Sequence, residues 1–175
     1  MEKRALSLTL PVYLATFAAA LAWSAAVVLA PYLASRDGRL AGLLYACFAP
    51  VCHQLPERSF FAFGHPLAVC ARCAGIYAGA VAGLALYPAL RGFHNVRLPR
   101  IGPFLAATMA LAVDAGGGLL GLWDSPAWLR FAVGLPWGMS LPYFFITGIV
   151  DLLASRAGDS RPPDPVRLQS ARKYP

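Results

Sequence analysis

The sequence predicts an all-α polytopic membrane protein with four transmembrane helices. Three observations lead to this fold class: hydrophobic residues make up 58% of the 175 residues, charged residues make up only 13%, and the apolar residues gather in four long runs. A soluble domain carries about 25% charged residues, so too few charges remain here to cover a water-exposed surface. The composition therefore argues against a soluble enzyme, a disordered chain and a coiled coil.

Each of the four runs is long enough to cross a bilayer, whose hydrocarbon core of about 30 Å requires about 20 helical residues. The runs are rich in Ala, Leu and Gly, and none shows the period-two alternation of a membrane-spanning strand. The first run is also longer than the apolar core of a signal peptide, so we expect it to be a retained anchor. The predicted membrane domain covers residues 1–154, with spans at 5–33, 66–90, 101–122 and 128–153.

Two further segments flank or interrupt these spans. A fifth apolar run, residues 40–51, is too short to cross the membrane and contains Pro50 near its end. We interpret it as an interfacial or re-entrant helix in the first outer loop. Residues 155–175 are polar and rich in Pro, Arg and Ser, which predicts a disordered cytoplasmic tail.

The distribution of basic residues predicts the orientation. With four spans, the side that holds both termini receives ten of the 15 Lys and Arg residues, and the other side receives five. The positive-inside rule then places both termini in the cytoplasm and the loop before the second span outside, in the cell (inner) membrane. The four apolar spans make membrane lipid the expected partner. Because the basic residues are divided among separate loops, we expect no nucleic-acid partner.

The four cysteines lie in one short part of the chain, between positions 47 and 73. Cys70 and Cys73 are three residues apart at the start of the second span, and residues so spaced on a helix lie roughly 5–6 Å apart on one face. The positive end of the helix dipole and the neighbouring Arg72 favour thiolate there. Cys47 lies in the short apolar run, where we expect it to pack against other helices.

Three interpretations of these cysteines stay open. A tetrahedral Zn²⁺ site would use Cys52, Cys70 and Cys73 with either His53 or His65, although adjacent Cys52 and His53 cannot both reach one ion without a distorted backbone. An outward-facing loop with an even number of cysteines also suits disulfides or a redox pair. Buried thiols without chemical function are the third possibility.

Asp114 is a charged residue within the third predicted span. Such charges are costly in a bilayer, so they usually face the bundle interior and have a partner. Arg72 and Arg130 enter the membrane from the same side as Asp114, which predicts one polar site in the outer leaflet. The site is either functional or a structural ion pair. Arg58, within the Cys-His segment, is a candidate clamp for an anion or a carboxylate.

Glycines recur every fourth residue in the second span, at Gly75, Gly79 and Gly83. Such small-xxx-small faces allow close helix packing in membranes. We expect either a packing groove within the bundle or the seam of a homo-oligomer at these glycines.

The two cysteine segments resemble a known family pattern. Cys52-His53-Gln54 is followed by Pro56, Arg58, Ser59 and Phe60, and then by Cys70-x-Arg72-Cys73-x-Gly75-Ile76-Tyr77-x-Gly79. This pattern is similar to that of DUF2085, a group of predicted prokaryotic membrane proteins catalogued as a domain of unknown function. The resemblance extends to Asp114 and Arg130 and implies a membrane protein without an assigned activity.

Three functional hypotheses follow from these residues. The first is a membrane protein whose Cys/His cluster binds a metal ion such as Zn²⁺ at the outer face. The second is a thiol-disulfide redox protein that uses Cys70 and Cys73. The third is a small transporter or enzyme with a polar site at Asp114 and Arg130. The sequence does not decide whether the protein is an enzyme.

Overall fold

The computed structural model describes residues 2–93 and 98–156 and confirms the all-α membrane fold. Within these residues there are five α-helices, four of them long and apolar enough to cross a membrane. The predicted tail lies outside the described residues from position 157 onward. The helices are α1 (Glu2–Ala34), α2 (Gly38–Phe48), α3 (Ala71–Leu90), α4 (Ile101–Leu119) and α5 (Ala127–Arg156).

The second span begins five residues later than predicted, because the chain before it forms a small hairpin. A short 3-10 helix (Pro56–Arg58) leads into β1 (Phe61–Ala62) and β2 (His65–Pro66), which pair antiparallel. The turn between the strands has positive φ angles at Phe63 and Gly64. Two-residue strands are too short to show a sequence period, so the sequence pattern places these residues in a loop or at the start of a span.

The short helix α2 follows α1 after a tight turn. The Asp37 side chain caps it and accepts a hydrogen bond of 2.9 Å from the backbone N–H of Arg39. A carboxylate at this position satisfies amides that have no partner within the helix. The helix ends at Phe48, three residues earlier than predicted, and so leaves Cys52 in the turn that follows.

Helices α3 and α5 pack side by side in parallel and form the centre of the bundle. Gly75, Gly79 and Gly83 of α3 lie against Phe131, Leu135 and Met139 of α5, in the same order along both chains. A Cβ at any of the three glycines would collide with a backbone carbonyl of α5. These glycines therefore allow the two backbones to touch, as small residues do in membrane bundles.

The packing is reciprocal, because Gly134 and Gly138 of α5 lie against the backbone of Arg72 and Ile76. The glycine face of α3 is thus covered by α5 of the same chain. This contact supports the first of the two expectations for Gly75, Gly79 and Gly83, a packing groove within the bundle.

Helices α1 and α4 flank this pair and run in the opposite direction. Tyr13 of α1 packs on Tyr87 near the end of α3, whereas Trp23, further along α1, packs on Tyr77. The bundle therefore has two ends. We call the end with residues 35–70 and 120–126 the loop end. The opposite end, where α1 begins, α3 ends, α4 begins and α5 ends, is the tail end.

Candidate functional site

The thiols of Cys52, Cys70 and Cys73 meet at the loop end. Their three Sγ atoms all lie within 4.8 Å of one another, and all three thiols are free. Cys70 immediately precedes α3, and its backbone N–H donates a hydrogen bond of 3.1 Å to Sγ of Cys52. Among the described residues, this is the one group of three or more Cys, His, Asp and Glu side chains close enough to share an ion.

Cys52 is held in place by a side chain that reaches across the loop end. The Gln54 amide donates hydrogen bonds to the carbonyl oxygens of Tyr45, at 2.7 Å, and Ala68, at 2.8 Å. The Tyr45 hydroxyl donates in turn to the carbonyl of Pro66 at 2.5 Å. These bonds connect α2 to the segment before α3, and so they bring Cys52 to the Cys70–Cys73 pair.

An apolar cluster encloses this connection. Cys52 is buried together with Val27 and Ala30 of α1, Phe48 of α2, and Ala68 and Val69 before α3. Trp23 closes the cluster edge-on against Phe48, with ring centroids 4.9 Å apart. The thiol site therefore depends on packing among α1, α2 and α3, and not on the Cys-x-x-Cys pair alone.

The environment of Cys52 favours its thiolate form. Hydrogen bonds from the Cys70 thiol and then the Cys73 thiol lower the pKa of Cys52 far below its ordinary value, and burial opposes this only in part. Thiolate is the form of cysteine that binds metal and attacks disulfides. The Arg72 guanidinium, which we expected to supply the nearby cation, turns instead toward Asp114.

The remaining candidate ligands lie outside the thiol group. His53 is exposed and His65 is half-buried in β2, and neither has a ring nitrogen close enough to join the three Sγ atoms. His53 as a fourth ligand is therefore not supported by this arrangement, because adjacent side chains diverge from the backbone. Cys47 is exposed on α2, so the expectation that it packs in the interior is wrong.

A second polar cluster lies beside the thiols and joins α3 to α4. Arg72 and Asp114 form an ion pair in which Nε and Nη2 of the guanidinium both donate to the same carboxylate oxygen, Oδ2, with the Nε bond at 3.0 Å. The other carboxylate oxygen accepts a hydrogen bond from the buried Ser125 hydroxyl. Asp114 is only 7% exposed, so these partners compensate for the cost of its burial.

Arg130 is close to this cluster but pairs with a different acid. Its Nη2 donates to Oδ1 of Asp124 at 2.5 Å, and it also exerts an electrostatic influence on Asp114. The predicted partnership of Asp114 with Arg130 is thus indirect. Arg58 ends the 3-10 helix and makes no ion pair with any described residue.

Sequence reasoning missed several residues of both clusters. Gln54 and Tyr45 hold the loop, Tyr77 lies within electrostatic reach of all three thiols, and Asp124 pairs with Arg130. Gln54 and Tyr77 lie within the two cysteine segments of the family pattern, and this position is the sequence feature that could have identified them. Asp124 lies in the loop after the third span. Nothing in the sequence marks it as a partner of Arg130, because exposed acids are common in loops.

Comparison with known proteins gives the family. Residues 52–144 match the family described as "Predicted membrane protein (DUF2085)". The chain belongs to this family. It is 36% identical over 140 residues to an uncharacterised protein of Methanocaldococcus jannaschii, covering 77% of this chain and 90% of that protein. It is 38% identical over 102 residues to an uncharacterised protein of Methanothermobacter thermautotrophicus, covering 54% and 83% respectively. No solved structure matches the chain.

The region matched to DUF2085 begins at Cys52 and includes the three clustered thiols and the Arg72–Asp114 and Arg130–Asp124 pairs. Helix α1 and the exposed Cys47 lie before it. The thiol site of this DUF2085 member therefore combines matched residues, which supply the three thiols, with unmatched ones in α1 and α2, which enclose them.

Proposed function

We propose that this membrane protein binds a thiophilic metal ion, with Zn²⁺ as the first candidate, through Cys52, Cys70 and Cys73. The observation that carries the proposal is the separation of the three Sγ atoms, within 4.8 Å of one another. In a tetrahedral site with Zn–S bonds of about 2.3 Å, sulfur atoms lie about 3.8 Å apart. The Sγ atoms would therefore have to approach one another by at most about 1 Å to reach that geometry.

Within residues 2–93 and 98–156, the three thiols have no fourth Cys, His, Asp or Glu ligand in reach, which leaves one position of a tetrahedral ion open. Structural zinc sites have four protein ligands, whereas catalytic sites have three and keep a position for water or substrate. Soft thiolate sets also suit Cu⁺. The site is therefore better suited to an ion that is exchanged or used in chemistry than to one that only holds the fold together.

The test is metal analysis of the full chain purified in detergent. We expect about one Zn²⁺ per chain after reconstitution and dialysis. The Cys52→Ser, Cys70→Ser and Cys73→Ser variants should each lose most of this metal. Cys47→Ser is the matched control and should keep it, because Cys47 is exposed and outside the group. Substoichiometric zinc and copper in the parent protein would reject the proposal.

The same proximity also supports the redox alternative. Cys70 and Cys73 lie three residues apart at the start of α3, and Cys52 lies close enough to both to resolve a mixed disulfide. Thiol trapping followed by mass spectrometry distinguishes the two functions. A reversible bond between two of the three cysteines indicates redox chemistry, whereas thiols that stay free in oxidant and are protected by Zn²⁺ indicate a metal site.

A cavity beside the second cluster supports the transporter or enzyme alternative. It has a volume of about 600 Å³ between α4 and α5, with Asp114, Asp124 and Ser125 on otherwise apolar walls. Small-molecule sites commonly combine such walls with a few polar groups. A ligand screen of the parent and Asp114→Asn proteins tests this function. A ligand that binds only the parent protein would favour it, and equal binding of every ligand to both proteins would reject it.

We also propose that the loop end faces the outside of the cell membrane and that both termini are cytoplasmic. Both the start of α1 and the end of α5 lie at the tail end, which supports a shared side for the termini. The larger share of basic residues falls on that side, as the positive-inside rule requires. In this orientation the thiols meet metal or oxidant from the exterior.

A further inference from the structure

A second large cavity lies at the tail end, far from both polar clusters along α3 and α5. Its volume is about 950 Å³, and it lies between the end of α3, the start of α4 and the middle of α5. Most of its wall is apolar or aromatic. The apolar wall includes Leu90, Pro103, Phe104, Pro136, Met139 and Phe144.

The charged residues of this cavity are all cationic. Arg91 and Arg100 both line it, and no acidic residue is found among its described lining residues. Arg91 also lies within electrostatic reach of the Tyr143 hydroxyl. Two guanidinium groups at the mouth of an apolar cavity attract an anion that carries an apolar part.

Hydrogen-bond donors without acceptors lie next to these cations. Helix α4 begins after Arg100 without a side-chain cap, so the backbone N–H groups of Ile101 and Gly102 have no side-chain acceptor. Free backbone amides at a helix start favour a ligand that brings acceptor oxygens.

The depth of the cavity identifies the source of such a ligand. Arg91 follows the last residue of α3 and Arg100 precedes the first residue of α4, so both lie where the hydrocarbon core meets the headgroups. The apolar wall extends from this level toward the bundle interior, along Phe104 and Pro136. A free phosphate would use the cations and leave this wall empty.

We propose that this cavity binds an anionic phospholipid, with its phosphate at Arg91 and Arg100 and an acyl chain along the apolar wall. Basic pockets between membrane helices on the cytoplasmic side recognise anionic headgroups in this way. The proposal does not depend on the thiol site, since no residue is shared between them. Loss of metal binding would leave it unchanged.

The test is native mass spectrometry of the delipidated full chain, titrated with phosphatidylglycerol or with phosphatidylcholine of the same acyl chains. We expect one phosphatidylglycerol to bind at least tenfold more tightly than phosphatidylcholine. Arg100→Gln should reduce this preference about fivefold to tenfold. Equal binding of the two lipids by the parent protein would overturn the proposal.

Arg39→Gln is the matched control, because Arg39 is also exposed near the start of a helix but lies at the loop end. It removes the same charge and should keep the full preference. If both variants lose equal affinity, the effect is net charge and the site is excluded. Inorganic phosphate at millimolar concentration should leave the lipid bound, and displacement by it would assign the cavity to a free anion.

Discussion

At the residue scale, Gln54 connects the thiol site to its surroundings. It has a φ of 53°, in the left-handed region that non-glycine residues rarely adopt. This backbone conformation turns its amide toward the carbonyls of Tyr45 and Ala68, and both hydrogen bonds cross the loop that carries Cys52. The amide is a donor that a carboxylate of the same shape cannot replace.

We therefore expect Gln54→Glu to loosen the loop end. It would remove both donated hydrogen bonds and place a carboxylate against two carbonyl oxygens, at a cost of about 2–3 kcal/mol. The measurements are thermal unfolding in detergent and the rate of Cys52 alkylation, which should rise. Glu57→Gln is the control at an exposed neighbour and should change neither by much. Unaltered alkylation in Gln54→Glu would contradict this role.

The Arg72–Asp114 pair permits a second prediction. Asp114→Asn removes the counter-charge of a partly buried guanidinium and should lower stability by about 3 kcal/mol. Glu57→Gln, at an exposed acid, should cost about 0.5 kcal/mol or less. The measurement is denaturant unfolding in detergent. In a double-mutant cycle, Arg72→Met with Asp114→Leu should cost less than the two single changes together, and additive losses would argue against the pair.

The sequence predicted part of each cluster at this scale. The i, i+3 spacing of Cys70 and Cys73 foretold their proximity, and the cost of an intramembrane charge foretold a partner for Asp114. Whether Asp114 pairs with Arg72 or with Arg130 depends on the rotation of α3 and α5 about their axes, which no local sequence pattern specifies. The left-handed turn at Gln54 likewise has no composition signal, since glutamine is not typical of that conformation.

At the element scale, the close contact of α3 with α5 is the feature on which the site depends. The glycine rows bring the backbones together, and this contact sets the height of Cys70 and Arg72 relative to α5. The sequence indicated the glycine faces but not their partner, because small-xxx-small rows serve contacts within and between chains alike. The hairpin at residues 61–66 was missed because its strands are only two residues long.

Two glycine-to-alanine substitutions on these helices should affect stability differently, because only one of the glycines lies in the contact. In Gly79→Ala the new Cβ would meet the backbone of Leu135 and Met139, so α3 and α5 must separate and stability should fall by about 1–3 kcal/mol. In Gly148→Ala, on α5, the new Cβ meets nothing within 4 Å. That change should be neutral or stabilise the helix by up to about 1 kcal/mol. Thermal unfolding in detergent compares them, and equal effects would contradict the contact.

At the scale of the whole molecule, four apolar spans and a fifth short helix create two unlike ends. The loop end contains the thiols, the Arg72–Asp114 pair and the hairpin, and the tail end contains the cavity with Arg91 and Arg100. Composition predicted the number of spans because their length and apolar content follow from bilayer thickness. It could not predict which helices touch, since apolar faces toward lipid and toward protein are alike in a membrane.

The orientation of these two ends is open to a direct experiment. If the loop end is outside, an impermeant maleimide should modify Cys47 in intact cells, because Cys47 is exposed on α2. A cysteine introduced by Arg100→Cys in a Cys47→Ser background should react only after the cells are permeabilised. Mass spectrometry of the modified peptides distinguishes these sites from the three clustered thiols. The reverse pattern would place the thiols in the reducing cytoplasm, where stable disulfides are rare, and would leave metal binding as the better supported use of them.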